Sequence, residues 1–216
     1  MRVGVIGCGY WGPKLARNFS ELPGAVLSWV SDLRQERLDH VACLYPGVRT
    51  TRDYRDVLGA DTDAVAIATP VSTHQSLALA ALRAGKHILV EKPLAASVTE
   101  AAAIVEEAAR RDLIVMVGHT FEYNPAVEAV RAIMDAGTLG QIYYINGVRV
   151  NLGVFQPDIN VMWDLAPHDV SILRFVLRAD PLAVGARGAA YVQRKKGIHD
   201  VAYLCLLYTS PSPRDS

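Results

Sequence analysis

The sequence predicts an α/β chain: an N-terminal doubly wound parallel sheet followed by a second, incomplete α+β domain of mainly antiparallel sheet. Three observations carry this. Short, fully apolar, β-branched runs alternate with helical segments over the first 120 residues, a glycine run (GCGYWG) joins the first strand to the first helix, and the later strands are longer and more polar. Strands apolar on both faces belong to parallel sheets covered by helices on each side. The right-handed crossover rule then winds such a sheet outward in two directions.

Strands are expected at Arg2–Gly7, Ala25–Ser31, Ala64–Ala68, His87–Val90 and Leu113–Val117, where runs of strand length are rich in Val, Ile and Leu. Helical spacing fills the intervals, at Pro13–Glu21, Arg34–Leu44, His74–Ala84 and Val98–Arg110. Beyond residue 120, Asn124–Ala136 reads as a helix with Pro125 in its first turn. Gln141–Asn151 (QIYYINGVRVN) alternates like a long strand, a helix is expected over about Pro167–Leu177, and strands follow at Leu182–Gln193 and Asp200–Tyr208. The boundary falls near residues 119–124, giving domains 1–121 and 122–208. Thr209–Ser216 (TSPSPRDS) has two Ser-Pro pairs and no apolar residue, and reads as a disordered or foreign tail. CLLYTSPSPRDS also resembles read-through of a sequencing adapter. The second domain has too few strands to close its own core.

Composition narrows the function. The 216 residues carry 22 basic and 22 acidic side chains, so no net charge draws the chain to nucleic acid. No uncharged apolar stretch nears the roughly 20 residues that span a bilayer, and the apolar start is too short and glycine-broken for a signal peptide. Cys8, Cys43 and Cys205 are odd in number and far apart, which excludes a disulfide framework and any CxxC zinc site. A cytoplasmic location is expected.

The strand VGVIG runs into Gly7-Cys8-Gly9-Tyr10-Trp11-Gly12 and a helix opens at Pro13, the arrangement of a Rossmann dinucleotide fingerprint. Gly7 serves the tight turn, Gly9 the close approach to a pyrophosphate, and Gly12 the helix–strand contact, with the helix N-terminus aimed at the phosphates. Asp32 ends the next strand twenty positions past Gly12, where its carboxylate suits the ribose hydroxyls and repels a 2′-phosphate. NAD is therefore the expected cofactor rather than NADP. Arg34, two residues on, softens that preference.

Four ordered segments carry a resemblance: GVIGCGYWG; Ala68-Thr69-Pro70-Val71-Ser72-Thr73-His74; Glu91-Lys92-Pro93; and Trp163-Asp164-Leu165-Ala166-Pro167-His168-Asp169. Together they resemble the Gfo/Idh/MocA oxidoreductases, NAD(P)-dependent dehydrogenases of sugars, inositols and nucleotide sugars. The resemblance covers residues 1 to about 204. It implies a Rossmann domain, a C-terminal α/β domain, a homo-oligomer in the full-length form and a Lys/Asp/His catalytic set matching Lys92, Asp164 and His168. It also implies cofactor contacts from Tyr10, Trp11, Thr69, Pro70, His74, Glu91 and Lys92. Relatives carry roughly a hundred further residues, in line with two-domain chains.

Chemistry supports these roles beside bland alternatives. Lys92 ends a strand at the carboxyl edge of the sheet, where it can stabilise a developing alkoxide; by position alone a solvated lysine before a turn proline is the commoner case, and the resemblance favours the functional role. Asp164 and His168 are one helical turn apart. With Pro167 read as a first-turn residue, His168 falls near a helix start, which favours the neutral imidazole of a general base. A structural Asp–His hydrogen bond is the alternative, and no third ligand stands at metal spacing. His74 is either a cofactor-loop residue or a helix-start residue facing water.

GHTFEYNP and RVNLG, leading to WDLAPHD, look closest to nucleotide-sugar 3-dehydrogenases, which act on UDP-N-acetylglucosamine or its uronate. That likeness makes Tyr123, Asn124, Arg149 and Asn151 candidate substrate residues. Tyr143, Arg149 and Asn151 would alternate onto one strand face, with Arg149 meeting a diphosphate or carboxylate or, equally, a neighbouring surface. A free sugar or inositol is the alternative substrate. A non-catalytic NAD-binding sensor is the alternative of another class.

Overall fold

A computed structural model describes residues 1–150, 159–193 and 197–208. Contacts divide the chain into two compact units, Met1–Gly118 and His119–Ser216.

The first unit is a six-stranded, wholly parallel sheet of β1 (Arg2–Ile6), β2 (Val26–Ser31), β3 (Arg49–Thr51), β4 (Ala64–Ile67), β5 (His87–Val90) and β6 (Val115–Val117). The spatial order is β3-β2-β1-β4-β5-β6, that of the doubly wound dinucleotide-binding sheet. Its helices are α1 (Gly12–Glu21), α2 (Gln35–Leu44), α3 (Tyr54–Gly59), α4 (His74–Arg83) and α5 (Val98–Arg111). Because every strand points the same way, all the loops at their carboxyl ends gather on one edge.

Each sheet face has its own core. Val5, Leu27, Val30 and Ala66 bury against Ala16 of α1 and Leu38 and Val41 of α2. Val65, Ile67, Ile88 and Val90 bury against Leu77, Ala78, Ala81 and Leu82 of α4 and Ile104 and Ala108 of α5. Each such fully buried Val, Leu or Ile contributes about 1.5–3 kcal/mol. Local signals close the elements: the Ser97 side chain accepts from the Glu100 N–H to cap α5, and Asp53 caps α3 by accepting from Arg55 N–H.

The expected strands and helices of this unit are present, with β5 matching its expected bounds. A strand and an α-helix are additional, beside a short 3-10 turn at Val71–Thr73. Arg49–Thr51 and Tyr54–Gly59 are too short and polar to show a hydrophobic period.

The second unit holds α6 (Pro125–Asp135), α7 (Val161–Leu177), β7 (Ala183–Ala189) and β8 (Val201–Leu207). The two strands pair antiparallel from Ala183↔Leu207 to Ala189↔Val201. Two expectations fail here. Residues 141–150 form no strand and are exposed throughout, because side-chain alternation makes a strand only where a partner supplies the ladder, and β7 pairs with β8. α7 begins at Val161, six residues before Pro167. Its start is set by Asn160, whose side-chain oxygen accepts from the Trp163 N–H at 2.9 Å, and Pro167 lies inside the helix. Asn151 and Thr209–Ser216 lie outside the described residues. Among the described residues no helix is long and apolar enough to cross a membrane.

Candidate functional site

The candidate residues of the first unit converge on the carboxyl edge of the sheet. Its switch point lies between β1 and β4, where the strand order reverses and ligands bind in open α/β sheets. Gly7 leaves β1 with φ +95° and donates its N–H to Ser31 O at 2.7 Å. A side chain there would meet Ala68 O at 2.7 Å, so the loops after β1 and β4 touch at the switch point. Gly12, the first residue of α1, faces the Gly7 carbonyl so closely that a Cβ would overlap its oxygen. Gly9 differs: a Cβ there would have only Arg37 Nη1 within 4 Å, at 3.9 Å, so that side of the loop is open. The two glycines that the protein itself crowds and the one it leaves open divide the work as the fingerprint requires.

Tyr10 and Trp11 pack edge to face at 5.5 Å, and the Lys14 ammonium stands over both rings at 3.7 and 4.1 Å. Both rings are exposed at the loop. Trp11 O accepts from Lys14 and Leu15 N–H, which starts α1 without a side-chain cap.

Asp32 is held from three sides. Oδ2 accepts from Cys8 N–H at 2.6 Å and from Arg37 Nη1 at 3.2 Å, and Oδ1 accepts from Arg34 N–H at 2.9 Å. Burial alone would raise its pKa, but the Arg34 and Cys8 amides and the Arg37 guanidinium outweigh that, so the carboxyl sits below the ordinary Asp value. Oδ1 keeps a second acceptor position for a ribose hydroxyl. Arg37 was not singled out by the sequence; its place five residues past Asp32, in the first turns of α2, is a signal that could have found it. Asp32→Asn should weaken NADH binding about tenfold or more, through loss of a charged acceptor, and narrow the preference over NADPH. Fluorescence titration with both dinucleotides measures this.

Thr69 and Pro70 follow β4, with Thr73 Oγ1 bonded to Thr69 Oγ1 and to Pro70 O, each at 2.7 Å. His74 opens α4 but is 1% exposed. Its Nε2 lies 2.9 Å from Thr69 O and its Nδ1 2.9 Å from Pro93 O. The ring therefore neither faces water nor stands free to touch a cofactor.

Glu91 and Lys92 leave β5, with Lys92 followed by a cis peptide bond to Pro93. The Glu91 carboxylate is buried beneath Gly118, where a Cβ would lie 3.1 Å from Oε2. Burial raises its pKa, only partly offset by the Lys92 amide and the Lys92 and Lys14 charges. The folded state thus holds the Glu91 proton more tightly than the unfolded one, so the contribution of Glu91 to stability is fully present below the ordinary Glu pKa and is lost as pH rises through the raised value. Glu91→Gln should accordingly raise Tm at neutral pH and leave it unchanged at acid pH, as thermal melts at the two pH values will show.

In the second unit, α7 places Asp164 and His168 one turn apart on one face. His168 lies beyond the first turn, so the helix-start argument for a neutral imidazole does not apply. Phe121 packs against the ring edge-on at 4.9 Å. Arg149 caps the other partner, with its guanidinium 5.1 Å from the Phe121 centroid. Arg149 also forks onto Asp169, with Nη2 to Oδ1 at 2.8 Å and Nε to Oδ2 at 3.1 Å. It is therefore a committed ion-pair partner rather than an open anion receptor. Asn124 caps α6, its Oδ1 accepting from Ala126 N–H at 2.9 Å, whereas Tyr123 beside it is exposed.

The family model for oxidoreductases with the NAD-binding Rossmann fold, Gfo/Idh/MocA, matches residues 1–119. The chain belongs to the Gfo/Idh/MocA oxidoreductases. Across 203 residues this Gfo/Idh/MocA chain is 36% identical to a UDP-N-acetylglucosamine 3-dehydrogenase from Acidithiobacillus ferrooxidans, covering 90% of the chain and 60% of that protein. It is 31% identical to inositol 2-dehydrogenase 2 of Saccharopolyspora erythraea, over 92% of the chain and 59% of the relative. The crystal structure of an oxidoreductase from Agrobacterium radiobacter in complex with NAD+, L-tartaric acid and magnesium superposes with a TM-score of 0.82 at 26% identity, covering 95% of this chain and 62% of that one. The chain thus spans about 60% of the length of the curated relatives it matches. The residues present fit a dinucleotide: Gly9 leaves one side of the loop open between the crowded Gly7 and Gly12, and Asp32 offers a charged acceptor beside it.

Proposed function

We propose that this chain is an NAD-dependent dehydrogenase of a sugar CH–OH, acting on the C3 hydroxyl of a UDP-N-acetylhexosamine or its uronate. The observation that carries the reading is Lys92 at the carboxyl end of β5, on the same sheet edge as an open glycine loop and a ribose-end aspartate. Bound NAD would supply the hydride acceptor. Lys92 holds the substrate oxygen and stabilises the alkoxide as it forms. His168 removes the hydroxyl proton as general base, worth about 10²–10⁴-fold, and Asp164, one turn before it, orients the groups it meets. The nucleotide-sugar substrate is supported by the 36% relative and by the RVNLG and WDLAPHD segments.

A free inositol is the second reading. It is favoured by the 31% relative and by Arg149, which Asp169 occupies and which is therefore poorly placed to receive a diphosphate. Incubating the protein with NAD and UDP-N-acetylglucosamine, its uronate or myo-inositol, and following NADH, decides between them. Reduction with a UDP-sugar is the expected result. Reduction with inositol alone favours the second reading, and NADH binding without turnover on any of the three would sink both in favour of a sensor.

A further inference from the structure

We propose that His74 is the positioning residue of the catalytic edge: its imidazole bridges the carbonyl oxygens of Thr69 and Pro93 and thereby sets where Lys92 stands. The two carbonyls belong to separate loops. Thr69 follows β4 beside the switch point, where Ala68 O abuts Gly7, and Pro93 is the residue directly after Lys92. At 2.9 Å each, and with the ring 1% exposed, both contacts are shielded from competing water. Hydrogen bonds so placed are strong constraints on loop geometry. A neutral imidazole has one N–H and donates to one carbonyl, whereas the doubly protonated ring donates to both. The charged groups on the segments it joins are Glu91 and Lys92.

His74 also anchors the first turn of α4, which packs through Leu77, Ala78 and Ala81 into the core beneath β4 and β5. One ring thus fastens helix, cofactor-side loop and lysine-bearing loop together. A displacement of about 1 Å in the reacting groups costs on the order of 10²-fold in rate, so a clamp on the residue next to Lys92 matters even though it touches no substrate.

The role of Lys92 rests on the dehydrogenase reading, so the test uses no turnover. The lysines are reductively ¹³C-methylated, the Lys92 resonance is assigned with Lys92→Arg, and NADH affinity is measured in parallel. His74→Phe keeps ring volume and loses both nitrogens that face the carbonyls. His74→Gln retains a donor that can reach one carbonyl. The expected result is a displaced Lys92 resonance and about tenfold weaker NADH binding in His74→Phe, with His74→Gln between it and the wild type. A folded His74→Phe protein with the wild-type Lys92 resonance and NADH affinity would overturn the proposal, because the ring would then merely fill space. Wild-type protein supplies an independent check that does not depend on a variant folding. A slowly exchanging His74 ring N–H is expected in a ¹⁵N–¹H spectrum, and its absence overturns the bridge. Absence of sugar oxidation by the wild-type protein, with both readouts as expected, would sink the dehydrogenase reading alone.

Discussion

Alanine at position 92 will leave NADH binding in place and lower sugar oxidation about 10²–10³-fold, the usual effect of removing one donor aimed at a developing oxyanion. The lysine ends β5 at the carboxyl edge of the sheet, away from both buried cores, so its removal opens no cavity. The glycine loop and Asp32, the proposed dinucleotide contacts, are left untouched by the substitution. Lys92→Arg should recover little of the loss, since a planar guanidinium does not place a compact point charge at the same spot. Steady-state rates at saturating NAD, with fluorescence titration of NADH, separate the two effects. Wild-type turnover in Lys92→Ala would remove the lysine from the mechanism.

Alanine at Gly12 will have the largest effect on the fold, whereas alanine at Gly9 will spare the fold and strike the ligand. The Gly12 Cβ would overlap the Gly7 carbonyl oxygen, a backbone atom pinned by the Ser31 bond and by contact with Ala68. Relief requires α1 to move off β1, at a cost of about 3 kcal/mol or more. The Gly9 Cβ meets only the end of the Arg37 side chain at 3.9 Å, so Tm should hold while NADH affinity falls because the methyl occupies the open side of the loop. Paired melts and titrations of the two variants test the contrast. A Gly12→Ala protein as stable as wild type would show that α1 yields easily.

Much of this was legible in the chain because the signals were local. Apolar runs such as AVAI and HILV, with strand length and β-branched residues, read as two-sided buried strands, and the glycine fingerprint lies wholly between one strand and one helix. Expectations failed where the deciding partner was distant or was backbone. QIYYINGVRVN has the alternation of a strand, but a strand also needs a neighbour, and that requirement is invisible at residues 141–150. Pro167 carries a first-turn signal, yet Asn160 holds a stronger one and the helix runs through the proline. Arg149 read equally as an anion receptor or a surface contact, and its partner, Asp169, stands twenty residues on. The two acceptors of His74 are main-chain oxygens, which no residue type announces.

Cys8, whose amide anchors Asp32, is buried, and burial together with the Asp32 charge pushes its thiol to about 12. At neutral pH it is essentially never a thiolate, and the thiolate is the reactive form. Cys43 on α2 and Cys205 on β8 are exposed, one in each unit. Nature has thus left a selective labelling pair: maleimide dyes or spin labels will take these two sites and pass over the turn. The chain can carry one label in each unit without altering one residue.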